Sequence, residues 1–246
     1  MNFIVAFQFL TMIPVPLRGK PSEGDFAKAM LWFPAVGALL GLVLAGTYGV
    51  LSAFFPPPSL VCGSVLAALL ALLTGGLHLD GVADAADALF SVKGREERLR
   101  IMKDSHIGAM GAAAVAFTVV IKAALLAALP VADAWKALVM FPAASRCSML
   151  LPALLFPYAR ATGGTARPFV AGLRLSTVLI SSVATVAAAT WLLRFDGTMA
   201  FLAALAFAAS AGWLFRRLLG GVTGDALGSV NEGAELVFLA VLVALR

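Results

Sequence analysis

Six apolar runs of about 20 residues or more divide this chain, at about 30–55, 59–79, 108–129, 134–156, 171–193 and 199–219. A helix rises about 1.5 Å per residue, so each run is long enough to cross the ~30 Å hydrocarbon core of a bilayer. A seventh run, 233–245, is too short alone. It becomes long enough if its helix begins near Thr223 and carries Asp225, Glu232 and Glu235 with it. The chain therefore reads as an all-α, polytopic integral membrane helical bundle with about 6–8 transmembrane segments. It forms one domain over 1–246, because no polar stretch is long enough to bury a separate soluble core. Composition agrees: 61% of residues are hydrophobic and 13% charged, against about 25% charged in soluble domains. Segment 3–17 is short and holds Pro14 and Pro16, which leaves it interfacial, re-entrant or a broken span.

Charge orients the bundle. Thirteen of the 18 basic residues fall in connections on one side, including Arg18, Lys20, Lys28, the Lys93–Lys103 stretch, Arg160, Arg167, Arg174, Arg216 and Arg217. Arg194 and Arg246 fall on the other side, beyond the turns at Pro56–Pro58 and Pro130–Asp133, which carry no cation. The positive-inside rule makes the rich side cytoplasmic. The net charge of +5 thus reflects topology and does not imply nucleic acid. Cys62 and Cys147 lie in apolar segments and read as buried thiols, not a disulfide. The N-terminus lacks the basic region and small-residue cleavage site of a signal peptide. Gly37, Gly41, Ala45 and Gly49 recur every four residues, which lets another backbone approach within the bundle or across a homo-oligomer.

Three of only 13 acidic residues, Asp80, Asp84 and Asp87, fall within GGLHLDGVADAADALF. At about 100° per residue they form a stripe roughly 60° wide on a helix. The bland alternative is a solvated helix face. Carboxylates at membrane depth, however, are functional by default and need compensation. A divalent cation supplies it, and Mg²⁺ suits oxygen-rich pockets that leave positions for substrate phosphate. Further acids fall on the same side: Asp104 in IMKDSHIGAMG, and Asp225, Glu232 and Glu235 in GGVTGDALGSVNEGAEL. Three clusters meeting at one membrane face would make an acidic active site there.

The neighbouring polar residues are open to two readings. Asp104 and Ser105 could cap the following helix, with Arg100 paired to Asp104, or bind phosphate with His106 at that helix N-terminus. Thr223 and Asp225 open the last helix. Arg146 sits mid-span and needs an anionic partner, either an acidic residue or a phosphate. Lys122 snorkels or pairs within the bundle. His78 is a packed histidine or a ligand.

The motifs GGLHLDGVADAADALF, IMKDSHIGAMG, ASR at Arg146 and GGVTGDALGSVNEGAELVF, with the opening FLTMIPVP, resemble the cobalamin synthase (adenosylcobinamide-GDP ribazoletransferase) family across nearly the whole chain. The resemblance implies an enzyme of the prokaryotic cell (inner) membrane that uses Mg²⁺. It would join adenosylcobinamide-GDP to α-ribazole, or its 5′-phosphate, and release GMP. The family's motif positions fall here on Asp80, Asp84, Asp87, Asp104, Ser105, Asp225, Glu232 and Glu235. Met12, Ala88 and His106 depart from it, standing where a basic residue, Gly and Arg are usual. On this basis Asp80, Asp84, Asp87, Asp104 and Asp225 are the expected metal ligands. Asp87 is the expected general base, with Asp84 able to exchange roles. His78, Ser105, His106, Arg146, Thr223, Glu232 and Glu235 are the expected substrate contacts. The rivals are a CDP-alcohol-type lipid phosphotransferase and an ion-coupled transporter. The transporter predicts carboxylates near the midplane and repeat symmetry, and the sequence shows no repeat.

Overall fold

The structure, a computed structural model, describes residues 1–16, 19–56, 59–160 and 163–245, apart from the Glu23 side chain. Arg18, Pro57, Pro58 and Arg246 lie outside the described residues. The elements are helices: α1 (Asn2–Leu10), α2 (Glu23–Ala29), α3 (Phe33–Phe54), α4 (Leu60–Leu73), α5 (Leu77–Phe90) and α6 (Arg95–Ile101). There follow α7 (Ala109–Ala127), α8 (Ala134–Ser148), α9 (Leu150–Leu155), α10 (Arg167–Ala171), α11 (Leu175–Leu219) and α12 (Gly224–Ala244). Among the described residues five helices are long and apolar enough to cross a membrane, or six if the bent pair α4–α5 counts as one span.

As one rod, the 45 residues of α11 would extend roughly 68 Å, over twice the hydrocarbon thickness. The chain instead reverses at Arg194, whose φ of 56° and ψ of −139° break the helix. Thr190 Oγ1 and Thr198 Oγ1 meet at 2.8 Å, whereas residues eight apart in a straight helix are separated by about 12 Å. The arms 175–193 and 195–219 correspond to the two apolar runs read from the sequence.

The run at 59–79 is corrected. Gly75 and Gly76 adopt φ values of 61° and 69°, left-handed backbone that favours glycine. They end α4 at Leu73 and turn α5 away from it by 92°. Apolar character continues across this break, so hydropathy alone reads through it. Segment 3–17 is also resolved: α1 has nine residues, too few to cross. The chain after it is clipped to the end of α4, Met12 N–H donating to the Leu73 carbonyl at 2.9 Å.

Helix α3 packs on α8, α4 on α7, α11 on α12 and α8, and α5 across α7 and α12. Gly37 and Gly41 of α3 lie directly against the α8 backbone at Pro142–Ala143 and Leu138–Val139. Gly49, in the same stripe, faces open space. Part of the small-residue stripe is therefore used inside the bundle. Cys62 and Cys147 are both free and buried.

Four charges are buried where these helices meet. Lys122 of α7 lies 2.5 Å from Glu232 Oε2 and 2.6 Å from Glu235 Oε2 on α12. Arg146 of α8 donates to Glu235 Oε1 at 2.7 Å and to the Pro142 carbonyl at 3.1 Å. Two cations and two carboxylates give no net charge, which makes their burial tolerable in a low-dielectric bundle.

Gly41→Ala should lower stability in detergent by about 1–3 kcal/mol through overpacking, while Gly49→Ala should leave the thermal midpoint unchanged. Equal midpoints would mean that α3 and α8 are not in close contact. Lys122→Met should cost about 3–5 kcal/mol by leaving a buried carboxylate unpaired. Adding Glu232→Gln should recover most of that loss, and additive losses would remove the coupling.

Candidate active site

The acidic stripe lies on α5, which crosses the first turns of both α7 and α12. Gly81 permits this crossing: a Cβ there would sit 2.5 Å from the Asp225 carbonyl oxygen. Gly228 of α12 similarly lies beside His78. The contact brings Asp225 to the stripe, and Asp80, Asp87, Asp225 and Arg160 all act electrostatically on Asp84. Asp80 is exposed, whereas Asp84, Asp87 and Asp225 are half-buried.

The three aspartates of α5 have different surroundings. Asp87 accepts the Gly108 N–H at 2.7 Å and the Gly111 N–H at 2.8 Å. It therefore caps α7 from another helix, and a carboxylate suits the positive end of the helix dipole. Asp80 and Asp84 have no hydrogen-bond or ion-pair partner among the described residues. Asp225 pairs with Arg160 at 2.8 Å. Arg160 also donates to the Met102 carbonyl at 3.1 Å, and Arg95 donates to the Leu219 and Ala159 carbonyls. These bonds tie the loop after α9 to α6 and to the α11–α12 turn.

The expected capping of α7 by Asp104 or Ser105 is corrected. Gly108 is the N-cap residue, and the capping carboxylate is that of Asp87, 21 residues upstream. Asp104 is exposed and pairs with His106 at 2.6 Å. The His106 hydrogen bonds hold its carboxyl below the usual carboxylate range. Arg100, the partner expected for Asp104, forms a two-pronged contact with Glu97 at 2.9 and 2.6 Å instead. Ser105 is exposed. Thr223 is fully buried and caps α12 by accepting the Ala226 N–H at 3.1 Å. Arg146, Glu232 and Glu235 belong to the buried charge group, so the expected third acidic cluster divides: Asp225 joins the stripe and the two glutamates hold the bundle.

His78 is buried, and its Nδ1 meets Asn231 Nδ2 at 3.0 Å. Asn231 Nδ2 also donates to Glu235 Oε1 at 3.2 Å, which links the stripe helix to the buried charges. Sequence reading missed Asn231 and Arg160 as site residues. An amide within an apolar helix was the available signal for Asn231. Arg160 meets its partner across 65 positions, which no local pattern records.

Two cavities meet at Asp80, Leu77 and Phe9. The larger, about 580 Å³, is bounded by Gln8, Thr11, Met12, Thr74, Ala83 and Ile107. The smaller, about 280 Å³, lies between His78, Asp225, Phe33, Met149 and Phe169. Among the described residues no three His, Cys, Asp or Glu side chains converge closely enough to cage a metal ion. The donors nevertheless suit Mg²⁺. Asp80 and Asp84 are unpaired, they stand one helical turn apart, and Mg²⁺ takes one or two carboxylates while water and phosphate complete its shell.

The cobalamin-5-phosphate synthase family model matches residues 2–243. The chain belongs to this family. It is similar at 38% identity over 243 residues to a Geotalea daltonii protein named adenosylcobinamide-GDP ribazoletransferase, covering 99% of this chain and 97% of that one. A protein of the same name from Brevibacillus brevis is 38% identical over 246 residues, covering 98% and 97%. Another from Acetivibrio thermocellus is 36% identical over 231 residues, covering 94% and 92%. No solved structure matches the chain. As a family member the chain is a transferase of cobalamin biosynthesis.

Asp87→Ala should remove both cap acceptors of α7 and lower stability by about 0.5–2 kcal/mol. Asp87→Asn, which keeps one acceptor oxygen, should fall between it and the parent. Thermal unfolding, with hydrogen exchange at the start of α7, tests this. Unaltered exchange in Asp87→Ala would remove the capping role.

Proposed function

We propose that the chain transfers the cobinamide-phosphate group of adenosylcobinamide-GDP to α-ribazole or its 5′-phosphate, releasing GMP. The observation that carries this is the pair of unpaired carboxylates, Asp80 and Asp84, one helical turn apart, with Asp80 at the junction of two cavities, in a chain of this family. Two cavities suit a reaction with two large substrates, and oxygen donors suit phosphate chemistry. Phosphoryl transfer depends mainly on positioning and charge neutralisation.

In this reading Asp80 and Asp84, with Asp225 beside them, hold Mg²⁺. When bound, the ion neutralises the pyrophosphate oxygens. Asp84 accepts the proton of the ribose 3′-hydroxyl as that oxygen attacks the cobinamide-linked phosphorus and the bond to GMP breaks. Asp84 takes this role ahead of Asp87 because both Asp87 oxygens already accept backbone N–H bonds. Arg160 holds the Asp225 carboxylate in position and lowers the repulsion among the acids. Asp104, Ser105 and His106 form an exposed strip on the loop before α7, where they would meet the solvent-facing part of the donor.

The site lies at the bundle end where α7 and α12 begin and where α9 and α11 end. The same end carries Lys93, Arg95, Arg98, Arg100, Lys103, Arg216 and Arg217. By the positive-inside rule it faces the cytoplasm, where a GDP-activated donor is available.

The test uses purified protein in lipid with adenosylcobinamide-GDP and α-ribazole. GMP and cobalamin should form with Mg²⁺ and cease with EDTA. Asp84→Asn should reduce turnover by at least about 100-fold with insertion into the membrane unchanged. Near-parental turnover would exclude Asp84 as the base, and product in EDTA would exclude the metal.

A further inference from the structure

A basic cavity adjoins the acidic stripe. Arg95, Arg100, Lys103 and Arg160 line about 350 Å³ of space, with Glu96 as the one carboxylate on the wall. Two of these cations are already matched, Arg100 by Glu97 and Arg160 by Asp225. Arg95 and Lys103 have no carboxylate partner among the described residues. Arg95 donates to the Leu219 and Ala159 carbonyls at 2.7 and 3.0 Å, which orients its guanidinium without neutralising it.

The wall is held in place by bonds that involve no ligand. Ala159, also on it, donates its N–H to the Val222 carbonyl at 2.8 Å, and the Val222 N–H donates to the Pro157 carbonyl at 2.9 Å. Arg160 follows directly and is fixed by the Met102 carbonyl at 3.1 Å and by Asp225 at 2.8 Å. Cations held in this way lose little further freedom when a ligand binds. Four cations against one carboxylate select an anion. Guanidinium and ammonium groups together suit phosphate, whose oxygens accept several charge-assisted hydrogen bonds. The volume, at the lower end of small-molecule sites, suits a phosphorylated sugar. Arg160 lines this cavity, pairs with Asp225 and acts electrostatically on Asp84. One side chain therefore joins the basic cavity to the acidic stripe.

We propose that this cavity binds the 5′-phosphate of the acceptor and so selects α-ribazole 5′-phosphate over α-ribazole. The assignment rests on the function proposed above. There the donor pyrophosphate is neutralised by the ion at Asp80 and Asp84, which leaves the acceptor's phosphate as the remaining anion. The attacking hydroxyl and the 5′-phosphate belong to one ribose. With that hydroxyl at Asp84, Arg160 stands beside the sugar, and the cavity that Arg160 lines receives the phosphate. A phospholipid headgroup offers the same chemistry at this end of the bundle, and the experiment separates the two.

The experiment measures kcat/KM for α-ribazole 5′-phosphate and for α-ribazole with the purified protein in phosphatidylcholine vesicles and adenosylcobinamide-GDP as donor. The parent should favour the phosphorylated acceptor about tenfold, the effect of a charge-assisted contact. Lys103→Gln should lose most of that preference, Lys103→Arg should keep it, and Lys103→Gln combined with Arg95→Gln should lose all of it. The preference is a ratio, so it does not depend on how much of a variant folds. Equal kcat/KM for the two acceptors in the parent overturns the assignment. A preference retained in both glutamine variants overturns it as well, and a raised KM for adenosylcobinamide-GDP in them would give the cations to the donor. A parental preference that disappears when phosphatidylglycerol is added gives the cavity to lipid headgroups and overturns it likewise. None of these results touches the reaction itself, which fails only if the parent releases no GMP with either acceptor.

Discussion

The neutral group of Lys122, Arg146, Glu232 and Glu235 fixes the geometry on which the rest depends. Each ion alone would be intolerable inside a lipid-embedded bundle, and together they lock α7, α8 and α12 in one register. A shift of α12 by one residue would turn Glu235 away from Arg146 and expose both charges to apolar surroundings. Because that register is fixed, Asp225 arrives beside Gly81 and Asn231 arrives beside His78. The cost of burying charge is thereby converted into positional precision at the end of the helix.

The same chain uses its acids for two physically different purposes. Glu232, Glu235 and Asp87 have opposite charges or backbone N–H groups as partners, and they hold helices together. Asp80 and Asp84 have none among the described residues, and Asp225 is half-buried against Arg160. Unpaired carboxylates cluster only where solvent or a ligand cation offsets their repulsion. The division between paired and unpaired acids therefore separates the scaffold from the proposed site more sharply than sequence spacing does. It also weakens the case for an ion pathway: the carboxylates deepest in the bundle are both neutralised by fixed cations.

Much of the span pattern was legible in the sequence because a bilayer imposes length and hydropathy directly. The Thr223 cap, the two arms around Arg194 and the burial of both cysteines were legible for local reasons. The end of α4 was not, since Gly75 and Gly76 interrupt the backbone without interrupting hydropathy. Asp104 and Ser105 looked like caps for α7 because capping is usually local, and here the cap comes from a helix that crosses it. The pairs Arg160–Asp225 and His78–Asn231 depend on the crossing of α5 over α12. Sequence pattern identifies the helices that carry these residues but not which turns touch.

That crossing explains why the site sits at the end of the bundle. Helix α5, bent 92° from α4, lies across the first turns of α7 and α12. Its apolar face, including Ala85, Ala86 and Ala88, packs down, while Asp80 of its acidic stripe is left at the rim where two cavities meet. Phe169 of α10, packed on Phe9, Phe26 and Phe33, closes the apolar side of the smaller cavity. The rim thus joins two environments: a slot walled by aromatic rings and a charged, open edge at Asp80. A site at mid-bilayer would supply the first and exclude the second. A site on a soluble loop would supply the second without walls to build the first.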